Sequence, residues 1–199
     1  MRLALIALML ATPAFAHHPE ERLDDVMAEK EPAFEATDTW RVPRLDLIDT
    51  SGRALRLEDM HDRIVVLSLT SEACGAPCAA QQTLLDRVWQ AIDATPMRDM
   101  VTFVHVQAPG TEFSAAAPNR IAATPAEGDV STLAADLARL SAEDGDAPLV
   151  HVIDRNGRHA GVFRGDGFGH VNAVLYINGL SNARPVEPGF MDRMRGVLR

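Results

Sequence analysis

Cysteine occurs twice in the 199 residues, at Cys74 and Cys78, within "SLTSEACGAPCAAQ". Two thiols at this spacing can staple the chain, exchange electrons as a dithiol–disulfide pair, or hold a soft metal ion. The residues between them bear on the choice. Pro77 lacks an N–H and has a helical φ, which suits it to the first helical position. Cys78 then falls in the first turn and Cys74 just ahead of it, both at the positive end of a helix dipole that stabilises a thiolate. At a helix start this spacing puts the two Cα atoms roughly 6 Å apart, within reach of a disulfide. As a staple the bond would do little. Closing a loop of about five residues stabilises by about 2 kcal/mol, against more than about 4 for a long loop. The spacing favours redox or metal chemistry.

Such thiols need a strand behind them and a helix in front. "RIVVLSLT", Arg63 to Thr70, is a nearly continuous apolar run that suits a strand buried on both faces. After the cysteines, Leu84, Leu85, Val88, Trp89 and Ile92 form one apolar stripe at helical spacing. "MVTFVHVQ" predicts a second buried strand, and residues 108–130, rich in Ala, Pro and Gly, read as a loop. Ser131 is placed as the N-cap of a helix running to Glu143. "PLVHVIDRNGRHAGVFRG" predicts two strands about an Asn156-Gly157 turn. "HVNAVLYINGL" and "FMDRMRGVLR" predict short amphipathic helices, and "RLDLIDTSGRALRLED" a hairpin about Thr50-Ser51-Gly52. This order implies an α/β fold: a central mixed sheet flanked by helices, with an N-terminal β-hairpin extension. The thiols then sit at the carboxyl end of a central strand, where open α/β sheets place their sites.

The ends of the chain point to export. "MRLALIALMLATPAFA" has the basic start, apolar run and Ala14-Phe15-Ala16 ending of a signal peptide cut after Ala16. The apolar run is too short to span a bilayer. No cysteine follows the cut to carry a lipid, so the expectation is a soluble protein, without stable membrane insertion, in an oxidising compartment such as a periplasm. His17 and His18 would open the mature chain, where an α-amine beside an imidazole can chelate Cu(II), although a flexible polar end is the simpler reading. Residues 17–39 are strongly acidic and read as a tether or a loosely docked helix rather than a core element, which leaves residues 40–199 as the domain. With 47% hydrophobic residues, a net charge of −9 and no basic run, the chain reads as globular and the balance argues against a nucleic-acid partner.

Several other residues could join the chemistry. His151 and His105 lie in apolar strands and read as buried neutral histidines satisfied by hydrogen bonds, while His61 and His159 flank turns and read as surface. His170, after the glycine-rich "GDGFG", is the best substitute metal ligand. In a thioredoxin-type fold a proline before the strand facing the dithiol adopts a cis bond, and Pro148 stands there by chain order.

"LIDTSGRALRLEDMHDRIVVLSLTSEACGAPC", followed by a helix and "VTFVHVQAPGTE", resembles the Sco/SenC family from Leu45 to about Gly161. The specific part is the Cys-x-x-x-Cys after a buried strand, with an Asp-x-x-Gly turn before and after it. The resemblance implies a thioredoxin-like fold, a role in assembling the copper centre of cytochrome oxidase, and copper binding by Cys74 and Cys78. The chain departs from the family in one place. Eleven residues before Gly157, where the family has its third copper ligand, a histidine, this sequence has Asp146. The register from Pro148 through "IDRNG" resembles instead the TlpA-like thiol reductases.

Two functions follow. In the first, a thiol–disulfide oxidoreductase acts on a client protein with cysteines or a copper site: Cys74 attacks, Cys78 resolves, and Pro148 guides the client backbone. In the alternative, a Sco-type copper chaperone holds Cu(I), more readily than Cu(II), through Cys74 and Cys78 with a third donor such as His170. Asp146 could move protons beside the dithiol. The proline and threonine that precede a peroxidatic cysteine are absent, since Thr70, Ser71, Glu72 and Ala73 stand there.

Overall fold

A computed structural model describes residues 22–111, 117–184 and 187–189. In chain order its elements are α1 (Leu23–Lys30), β1 (Phe34–Thr39), β2 (Leu47–Asp49), β3 (Ala54–Leu55), β4 (Ile64–Thr70), α2 (Gly75–Asp93), β5 (Val101–Gln107), β6 (Arg120–Pro125), α3 (Val130–Ala138), β7 (Leu149–Ile153), β8 (His159–Arg164) and α4 (His170–Asn182), with short 3-10 turns between some of them.

The two apolar runs become the central strands. All residues of β5 and all but Thr70 of β4 are buried, and the two strands pair in parallel. The eight strands run in the order β1-β8-β7-β4-β5-β6-β2-β3, with β7 antiparallel to β4 and β6 parallel to β5. One face of the sheet, with Ile64, Val66, Phe103, Val150 and Val152, packs against Val88 and Ile92 of α2 and Tyr176 and Ile177 of α4. The other face, with Val65, Leu67, Leu69, Val104 and Val106, is covered by Val130 and Leu137 of α3 and by Leu45, Leu47 and Met60. A fully buried parallel core leaves no polar face on β4 or β5, which is why both runs lack alternation.

Four expectations change. Residues from Leu23 onward are not a tether. Helix α1 buries Met27, and β1 adds an edge strand to β8, with Phe34 opposite Phe163. The acidic side chains that suggested disorder have a partner: the Arg158 guanidinium donates to Asp154 and Asp38 at 2.8 Å and to Asp24 at 3.0 Å, while Tyr176 Oη donates to Asp24 at 2.7 Å. Second, the supposed loop over residues 108–130 contains β6, which joins β5 to the β2–β3 hairpin. Third, α3 starts one residue before Ser131 and stops at Ala138; its cap is Asp129, whose Oδ1 accepts from the Thr132 N–H at 2.8 Å. Fourth, His159 is not on the surface but fully buried. The signal segment and the helix expected over residues 190–199 lie outside the described residues.

Candidate dithiol site

The peptide leaving β4 makes a 3-10 turn at Glu72–Cys74 and enters α2 through Gly75. Gly75 has φ +56° and ψ −130°, a conformation open to glycine and strained for other residues, and it turns the chain so that both cysteines meet. Pro77 follows inside the first turn, where its missing N–H costs no hydrogen bond. Cys74 and Cys78 are joined in a disulfide with Cα atoms 5.7 Å apart, close to the separation expected from the spacing. Cys78 is 1% exposed, its sulfur 3.7 Å from the Leu69 carbonyl oxygen, whereas Cys74 is half-buried. The first turn of α2 carries no acidic side chain, so nothing there offsets the helix N-terminus as a stabiliser of sulfur anions.

The disulfide borders an open cleft of about 670 Å³ between α3 and the start of β7. Leu69, Ala134, Ala138 and Leu149 give it an apolar floor, and Pro148, His151, Asp146 and Arg164 also line it. Its rim is fastened: Arg164 pairs with Glu143 at 3.2 Å and donates to Ser141 Oγ at 2.7 Å. Glu35, on β1, accepts from Ser141 Oγ at 2.5 Å and from the Ala142 N–H at 2.6 Å.

Pro148 is on the cleft wall as expected, but its bond is not cis, since the described residues contain no cis peptide. The proline immediately precedes β7, its carbonyl accepting from the Gly165 N–H at 2.7 Å. The sequence reading missed a second partner of that carbonyl. Gln81, fully buried in α2, donates from Nε2 to Pro148 O and to Gly165 O, both at 2.8 Å. Two carbonyl oxygens on one atom identify it as the nitrogen, and Oε1 is buried without a partner among the described residues. The clue was available: Gln81 interrupts the stripe Cys78, Leu85, Val88, Ile92 with a polar residue on the buried side.

His151 is buried and joined to a second histidine, its Nδ1 lying 3.0 Å from His159 Nε2. Burial, with the neighbouring His159, pushes His151 down to about 3. Burial likewise brings His159 to about 4, with Glu35 acting against it and Arg158 with it. His105 faces Ser68 Oγ at 3.1 Å and is lowered to about 4 by burial and by Arg120. All three are neutral at pH 7, as the strand placement of His105 and His151 suggested. Asp146 lies exposed on the cleft. His170 does not join the sulfurs. It is exposed at the start of α4, which packs on the face of the sheet opposite α3, and it does not line the cleft.

No family model matches the sequence, and no curated protein does either. Solved structures share the fold. BsSco, a member of the Sco family of cytochrome c oxidase assembly proteins studied for a disulfide switch, superposes with a TM-score of 0.56 at 9% identity, over 72% of this chain and 94% of that one. A SCO1/SenC family lipoprotein from Bacillus anthracis gives 0.53 at 12% identity, over 72% of this chain and 96% of its own. The chain therefore has the thioredoxin-like fold that Sco proteins have, with the cysteine pair in keeping with it.

Proposed function

We propose that the protein is an exported dithiol protein of Sco/SenC type that performs thiol–disulfide exchange on a client protein during assembly of a copper site or a respiratory oxidase. The observation that carries this reading is the asymmetric disulfide on an open cleft: Cys74 half-exposed, Cys78 buried behind it. A client can reach only one sulfur. In the reduced protein the Cys74 thiolate attacks a client disulfide, one client sulfur leaves with the bonding pair, and a mixed disulfide forms. The Cys78 thiolate then attacks Cys74, the mixed bond breaks, and the client leaves as a dithiol while the Cys74–Cys78 bond closes. Gly75 and Pro77 shape the turn that presents Cys74, and the Pro148 main chain forms the wall against which the client backbone lies. The compartment follows from residues 1–16, read as a signal for export to a periplasm, where oxidised client cysteines occur.

Two thiolates alone can hold Cu(I), whereas Cu(II) calls for a further donor. Among the described residues no group of three or more His, Cys, Asp or Glu is placed to hold a metal ion, and Asp146 is a poor donor for Cu(I). In the reduced protein the two thiolates would fit Cu(I), with no third donor beside them among the described residues to support Cu(II), and no step is routed through the metal.

The test is a trap. Incubated reduced with an oxidised client peptide, Cys78→Ser should accumulate a mixed disulfide on Cys74, seen by mass spectrometry, and Cys74→Ser should form none. Equal trapping on both cysteines, or on neither, refutes the assignment. An anaerobic Cu(I) titration against a competing chelator, run on wild type, Cys74→Ser and His170→Ala, examines the alternative. One equivalent that survives competition and is lost in Cys74→Ser establishes the chaperone instead.

A further inference from the structure

Thr37, His159 and His151 form a hydrogen-bonded line from the edge of the sheet to the wall of the disulfide cleft. Thr37 Oγ1 is 2.6 Å from His159 Nδ1 and 2.9 Å from the His159 carbonyl oxygen. His159 Nε2 is 3.0 Å from His151 Nδ1, and His151 borders the cleft shared by both cysteines. Both imidazoles are buried, whereas Thr37 is half-exposed on the edge strand β1.

The line admits two complete arrangements of hydrogens. In one, Thr37 donates to the His159 carbonyl, His159 Nδ1–H donates to Thr37 Oγ1, His151 Nδ1–H donates to His159 Nε2, and His151 Nε2 is bare. In the other, Thr37 donates to His159 Nδ1, His159 Nε2–H donates to His151 Nδ1, and His151 Nε2 carries the hydrogen. Neither places a charge on a buried ring, so burial opposes neither, whereas it opposes an imidazolium at both positions. The charged groups around the line are Glu35 and Arg158 beside His159, and Arg139, Glu143, Asp144, Asp146 and Arg164 around the cleft.

We propose that Thr37, His159 and His151 are a neutral proton relay that exchanges protons between solvent at the sheet edge and the disulfide cleft during thiol–disulfide exchange. The proposal rests on the dithiol reading above. Its use is clearest when a client dithiol reduces the protein. A client thiolate attacks Cys74 Sγ, the Cys74–Cys78 bond breaks, and its electron pair leaves on Cys78. The second client thiolate then displaces Cys74, so that two electrons have passed from client to protein and the client holds the new disulfide. Cys78 is 1% exposed and draws its proton from bulk water less readily than the half-buried Cys74 does. The relay passes one into the cleft: His151 Nε2 gives its hydrogen, His151 Nδ1 takes that of His159, His159 Nδ1 takes that of Thr37, and water at the edge restores the hydroxyl. The client's two thiol protons are thereby balanced by two on the protein.

Histidine-labelled full-length protein tests this by ¹⁵N NMR, which separates the two neutral tautomers. His151 and His159 should both change tautomer between the oxidised and the reduced protein. Reduction by excess dithiothreitol should also slow at least about tenfold in Thr37→Val and in His159→Gln, below the range for a fully positioned acid because water can substitute, with the equilibrium potential against glutathione unchanged. His159→Gln perturbs a buried site, so Thr37→Val, at a half-exposed edge, carries the result if the other variant does not fold. One tautomer in both redox states, or an unaltered rate in Thr37→Val, overturns the relay while leaving the exchange function standing. A disulfide that dithiothreitol does not reduce overturns the exchange function itself, and the relay with it.

Discussion

Replacing Arg158 with methionine should detach the first described segment from the domain. The guanidinium is the common partner of three carboxylates whose side chains are 7% (Asp154), 25% (Asp24) and 69% (Asp38) exposed. Asp38 is solvated enough to stand alone, so its share is small. Asp154 and Asp24 would be left as like charges in a nearly dry site. Stranding a buried charge costs about 3–5 kcal/mol. Asp154 keeps backbone donors from Asn156 and Arg158, and Asp24 keeps the Tyr176 hydroxyl, which puts the loss at the lower end, about 3 kcal/mol. With a urea slope of about 2 kcal/mol per molar, the unfolding midpoint should drop by about 1.5 M at pH 7. A midpoint shift below about 0.3 M at pH 7, within the scatter of a surface substitution, would refute the reasoning.

Other substitutions test separate contacts. Gly161→Ala would place a Cβ 2.6 Å from the Phe34 ring and 2.7 Å from the Glu35 carbonyl oxygen, so β1 must shift. The cost should be about 1–3 kcal/mol by urea unfolding, with faster proteolysis around residues 31–40. Gly75→Ala meets no atom within 4 Å, so its effect comes from the backbone at φ +56° alone. It should destabilise the oxidised protein by about 1–3 kcal/mol, and thermal melts before and after reduction should show whether opening the disulfide relieves that strain. Acid should unfold the protein through its histidines. His105, His151 and His159 have folded values depressed to about 4, 3 and 4 from 6.5, so the stability they confer is complete above pH 6.5 and is lost as pH falls towards 4. Each contributes a slope of up to about 1.4 kcal/mol per pH unit in that window. A stability profile flat between pH 6.5 and 4.5 would contradict it.

The parts of the fold visible in the sequence are those whose pattern depends on nothing distant. β4 and β5 are apolar throughout because both faces are covered, and the α2 stripe marks one buried side. The rest depends on partners far along the chain. β1 reads as an acidic tether because its charges are matched by Arg158, some 120 residues on. β6, "RIAATP", has little strand propensity of its own and is held by β5 on one side and β2 on the other. At the site, both cysteines and Pro148 were legible by motif and order, and all line one cleft. The cis bond is absent among the described residues, and the Gln81 and Gly165 hydrogen bonds fix the Pro148 carbonyl rather than the bond before the ring. His159 seemed exposed beside its turn, yet β1 closes over it, with Thr37 against its ring.

A domain boundary drawn at Trp40 has a practical meaning in this light. A chain begun there would keep both cysteines and every strand from β2 to β8. It would lose Glu35, which holds Ser141 and Ala142 at the lip of the cleft, and Thr37 at the mouth of the histidine line. Such a fragment would also uncover the core that Met27 and Phe34 close and leave β8 as an open edge. Truncation at Trp40 would therefore disturb redox kinetics and client contact together, and an assay with small thiols alone would register only the first.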